Sequence, residues 1–168
     1  MLDLIQKRRS IRKYTSEPIA DADIQAMLEA AMAAPSASNI KPWEFVVVRD
    51  RELCRRLADT HQYSKMAADA AVVFVICGRE DESRHWVEDT SAATQNLLLA
   101  AAGLGLGTVW VACYPSVERE QYVRDLLGLP AGLRVLCLVP AGHPAEDKAP
   151  RTQFDASRVH YDRYEEMA

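Results

Sequence analysis

Apolar and polar positions along this chain follow two rhythms. Ile24, Met27, Leu28 and Ala31 repeat at threes and fours, which predicts a helix that Asp21 or Asp23 can cap. Its expected end is near Ala34, where Pro35 stops it. Leu2, Leu4 and Ile5, followed by cations, predict a short first helix ending near Ser10. EFVVVRD and AAVVFVICG are short, β-branched apolar runs and read as buried strands, with a helix over RELCRRLAD between them. Residues 60–69 fit neither rhythm and read as a loop with a helical turn.

The longest helix is expected from about Trp86 to Leu104. After Thr94 its alanines and leucines occupy nearly every face, which a surface helix does not tolerate. It should therefore be the centre of the core or of a dimer interface. GTVWVACY is expected as a third strand and VEREQYVRDLLGLP as an amphipathic helix closed by Gly128 and Pro130. LRVLCLVPAGHP reads as a fourth strand running into a turn. After Pro144 the periodicity fades, and Phe154, Tyr161 and Tyr164 favour docking of this arm on another surface. The pattern is α+β: about four core strands, flanking helices, and an arm over 150–168. It fits one domain spanning 1–168.

Charge sharpens this picture. The net charge is −4, which argues against a general nucleic-acid or membrane-surface binder. Yet QKRRSIRKY, residues 6–14, holds five cations in nine positions. Arginines beside a serine suit phosphate, because guanidinium forks match its oxygens; the alternative is a solvated helix end. Cys54, Cys77, Cys113 and Cys137 form no CxxC or Cys/His spacing, so no metal site is expected. No apolar leader or membrane-length run appears, and the expected location is cytoplasmic.

Motifs for self-sufficient catalysis are missing. GLGLG at 103–107 ends a helix rather than opening one, and no Walker loop, GxSxG elbow or HExxH is present. An enzyme built this way needs a cofactor to carry its chemistry.

These pieces, in this order, resemble the flavin-dependent nitroreductase family. RRSIRKY resembles its opening phosphate-binding motif, and APSASNIKPWEFVVV its proline–serine loop before the first strand. ATQNLLLAAAGLGLGTVW resembles its central helix, glycine turn and strand. AGHPAEDKAPR with VHYDRY resembles its closing strand and C-terminal arm. The resemblance implies a mostly antiparallel sheet of about four to five strands flanked by helices, in a homodimer that exchanges C-terminal arms and holds FMN at the subunit interface. It implies that Arg8, Arg9, Ser10 and Arg12 hold the phosphate and ribityl chain, with Arg151 as a second phosphate-binding arginine. Ser36, Ala37, Ser38 and Asn39 would line the flavin from the partner subunit. Gln62 and Lys65 would meet the ring near its N1–C2 edge, and Trp110 and Val111 would pass the isoalloxazine. The implied activity takes hydride from NAD(P)H through flavin N5 to a small electron-poor acceptor such as a nitroaromatic or quinone, with no side chain acting as acid or base. Other readings are a flavin-binding redox sensor or FMN store, and the same fold running dehalogenase or flavin-fragmenting chemistry.

Overall fold

The computed structural model describes residues 1–164; the last four residues of the expected 150–168 arm lie outside the described residues. Five helices, α1 (Leu2–Lys7), α2 (Asp21–Met32), α3 (Arg51–Leu57), α4 (Trp86–Gly103) and α5 (Val117–Leu127), surround one sheet. Its strands are β1 (Trp43–Val48), β2 (Val72–Arg79), β3 (Gly107–Thr108), β4 (Val111–Ala112) and β5 (Leu133–Gly142). The order is β1-β2-β5-β3, with β4 also on β5, and every pairing is antiparallel. Short 3₁₀ turns cover Ala37–Asn39, Lys65–Ala68 and Ala156–Arg158.

β2 lies at the centre and divides the core by simple alternation. Val72, Phe74 and Ile76 face α2 and α4, whereas Val73, Val75 and Cys77 face the side covered by α3 and α5. On β5 the alternation slips at Leu136, because the register against β2 shifts between Ile76 and Cys77. All four cysteines are buried. Burial pushes the Cys77 and Cys113 thiols up to about 12, so they pack as small hydrophobes.

Two local expectations change. GTVWVACY is not one strand: it breaks into β3 and β4, although Thr108↔Ala141 and Val111↔Leu138 belong to a single continuous register. The break falls opposite Pro140. Val109 donates its N–H to the Pro140 carbonyl at 3.4 Å, but proline has no N–H to return. At α2 neither aspartate caps. The cap position is Ala20, without a side-chain hydrogen bond, and Asp21 and Asp23 sit inside the first turn, where the helix dipole favours them.

α4 is buried along Trp86, Ala93, Leu97, Leu98 and Ala101, against α2 and the sheet. Its other side, with Gln95 exposed and Leu99 half-buried, is only partly covered by the described residues. The segment after α1 runs antiparallel to 143–151 and beside β3. Ile11 donates to the Thr108 carbonyl, Thr15 to that of His143, and Ala145 to that of Lys13, at 2.8–2.9 Å. Two glycines admit this close approach. A Cβ on Gly107 would lie 2.6 Å from Ile11 Cγ2, and one on Gly142 2.9 Å from Tyr14 Cβ.

Candidate functional site

A cavity of about 540 Å³ opens between the N-terminal segment, the 61–66 turn and the broken strand β3–β4. Its wall brings together Arg12, Gln62, Lys65, Trp110 and Val111, residues from three separated stretches of sequence. Val109, Met66 and Trp110 supply an apolar surface. Arg12, Lys65 and Arg119 supply positive charge, and among the described residues no carboxylate lines the cavity. Lys65 is tethered to Asp59 at 2.7 Å, an exposed pair worth little in stability but enough to orient the ammonium. Trp110 reaches the wall because the ladder is broken where it stands.

The first arginines belong to a neighbouring space. Lys7, Arg8, Arg9 and Lys148 line a smaller cavity of about 160 Å³ with Glu146 and Asp147. Arg8 is less basic than a free arginine, first through its partial burial and then through repulsion from Arg151 and Arg9. The Arg151 backbone N–H is tied to the carbonyl of Gln6, two residues before Arg8, at 2.9 Å. Arg9 donates to the Ala149 carbonyl. Ser10 takes part through its backbone, whose carbonyl accepts from Lys148 Nζ at 2.6 Å. The C-terminal segment thus fastens the N-terminal cations in place.

Ser36, Ala37, Ser38 and Asn39 line neither cavity. They form a 3₁₀ turn held against α4, where Ala37 N–H donates to Asp89 Oδ1 at 2.8 Å. Among the residues of the larger cavity that sequence reasoning missed are His61 and Arg119. His61 Nδ1 accepts from the Tyr63 N–H at 3.0 Å, so the neutral ring carries its proton on Nε2, which has no partner among the described residues. Burial and then Arg119 make His61 harder to protonate. Arg119 sits one turn after the Ser116 cap of α5 and reaches the Ala112 carbonyl at 3.3 Å. Neither residue carries a local sequence signal for this role.

Another cleft of about 420 Å³ lies between residues 15–24 and α3. Its cations are already engaged: Arg49 pairs with Asp21, and Arg51 donates to the Ala68 and Ala70 carbonyls.

The larger cavity falls within the usual size range of ligand pockets, and its apolar wall and cations fit a flat, anionic aromatic group. The Nitroreductase family model matches residues 5–62 and 58–143. The chain belongs to the nitroreductase family. It is 41% identical over 170 residues to a protein of Archaeoglobus fulgidus that carries the provisional name NADH dehydrogenase/NAD(P)H nitroreductase, covering 97% of this chain and 98% of that one. The structure of an FMN-dependent nitroreductase from Clostridium difficile superposes with a TM-score of 0.94 at 29% identity, covering 98% of this chain and 100% of that one. NADPH:FMN oxidoreductase from Vibrio harveyi, solved with NAD⁺, superposes with a TM-score of 0.88 at 29% identity, covering 99% and 79%. The antiparallel five-stranded sheet flanked by helices is the family fold.

Proposed function

We propose that this nitroreductase-family chain is an FMN-dependent NAD(P)H oxidoreductase acting on a small electron-poor acceptor, such as a nitroaromatic or quinone. The observation that carries the reading is the 540 Å³ cavity, where Arg12, Gln62, Lys65, Trp110 and Val111 converge. Names of relatives agree: one is an FMN-dependent nitroreductase and another an NADPH:FMN oxidoreductase.

In this reading Arg8, Arg9 and Arg151 hold the phosphate, whose charge relieves their mutual repulsion. Trp110, Val109 and Met66 cover the ring and exclude water from one side. Arg12 and Lys65 would place positive charge beside the ring. When bound, the flavin supplies two-electron transfer between the nicotinamide donor and the acceptor. Because Ser36–Asn39 stand away from this chain's own cavity, they serve the cavity of a second copy, and the working unit is a homodimer.

The experiment is the visible spectrum of the purified protein, identification of the flavin it releases, and NAD(P)H consumption with an added acceptor. Yellow protein that releases FMN and consumes NAD(P)H supports the reading. Colourless protein that FMN cannot reconstitute overturns it, and bound FMN without turnover favours a redox sensor or FMN store.

A further inference from the structure

Ser38, Asn39 and Lys41 adopt φ angles of 51°, 57° and 58°. Left-handed backbone is uphill for residues that carry a Cβ, so three such residues within four positions persist only where contacts impose them. Two contacts do so. Ser36 Oγ accepts the Lys41 N–H at 2.9 Å and closes the loop on itself. Asp89 Oδ1 accepts the Ala37 N–H at 2.8 Å and anchors the loop to the first turn of α4.

Asp89 is an expensive anchor. It is 5% exposed, and both its oxygens are met by neutral donors, Ala37 N–H and the Ser83 hydroxyl at 3.3 Å. Burying a carboxylate without a cation costs stability, which a neutral side chain there would avoid. Its position at the start of α4 offsets part of that cost through the helix dipole. What the carboxylate adds is a charge-assisted bond to the residue that precedes the left-handed stretch.

We infer that Asp89 is a positioning residue for flavin binding: by pinning Ala37 it holds residues 38–41 in the strained shape that meets the flavin ring of the partner subunit's site. The inference rests on the FMN reading above. Asp89 itself touches neither flavin nor substrate; it acts through the loop.

The test uses the purified full chain, stripped of flavin and titrated with FMN and with riboflavin by flavin fluorescence. Asp89→Asn keeps an acceptor oxygen for Ala37 and an amide for Ser83, and should bind both flavins within about threefold of wild type. Asp89→Ala removes the acceptor and should weaken both by about tenfold or more, equally, because the loop meets the ring and not the phosphate. Ala37→Pro removes the donor instead. Ser36 already sits at φ −142°, ψ 154°, a conformation that suits the residue before proline. This variant should match the Asp89→Ala loss, and combining the two should add little, since they break one bond. Ala37→Pro decides the matter if Asp89→Ala fails to fold. Wild-type affinity in either variant, or a loss confined to FMN, overturns the proposal while the cofactor reading stands. A wild-type chain that binds neither flavin overturns both.

Discussion

The backbone N–H of Arg12 donates to Glu146 Oε1 at 2.6 Å, across 134 residues of sequence. Arg12 lines the larger cavity and Glu146 the smaller, so this bond is the seam between them. Lys148 strengthens it from the other side, pairing with Glu146 at 3.1 Å while donating to the Ser10 carbonyl.

The seam is expected to open in acid. The Arg12 N–H, and then Lys148, hold the Glu146 carboxyl below the usual carboxylate range. A depressed folded value means that the contribution is complete above the unfolded value of about 4.3 and is lost as pH falls through the lower folded value. Thermal unfolding across pH should show wild type losing more stability than Glu146→Gln below about pH 4.3. Parallel profiles would mean that the carboxylate does not carry the seam.

Arg8→Ala should separate phosphate from ring. Removing one charge-assisted contact should weaken FMN by more than about tenfold and leave riboflavin within about twofold. Equal losses for the two ligands would remove Arg8 from the phosphate. The equal loss expected of Asp89→Ala makes these variants mutual controls.

Gly107→Ala tests the docking of the N-terminal segment. The new Cβ would meet Ile11 Cγ2 at 2.6 Å and Ile11 Cβ at 2.8 Å, so the segment carrying Arg8–Arg12 must shift. Overpacking of this kind costs about 1–3 kcal/mol, and flavin retention should fall with the melting temperature. Gly128→Ala is the control. Gly128 closes α5 with φ +65° and open space around it, so strain alone, on the order of 1 kcal/mol, should lower stability and spare retention.

Leu99→Asp tests the homodimer. Leu99 is half-buried on a side of α4 that the described residues cover only in part, whereas Leu98 is 3% exposed within the subunit's own core. A charge at Leu99 should therefore shift sedimentation from dimer to monomer and release flavin without unfolding the subunit. A Leu99→Asp monomer that keeps tight FMN would refute the shared site; unfolding would instead reveal Leu99 as core.

Periodicity carried the elements whose burial is one-sided or complete. Three- and four-residue spacing marked α2 and α5, and β-branched runs marked β1, β2 and β5, because a local pattern records which face meets the core. The N-terminal cation cluster was legible for a similar reason, since like charges held together require a counter-charge. Convergence is another matter. That Arg12, Lys65 and Trp110 share a wall depends on strand order and on the break in the third strand, caused by Pro140 about thirty residues downstream. His61 and Arg119 joined them with no local mark, as their neighbours come from other segments. The left-handed turns at Ser38, Asn39 and Lys41 were equally silent, because none is a glycine and the bond that imposes them comes from Asp89, 52 residues from Ala37. Patterns along a chain record burial; a site is made by long-range contacts, whose partners only the assembled sheet and its helices bring within bonding distance.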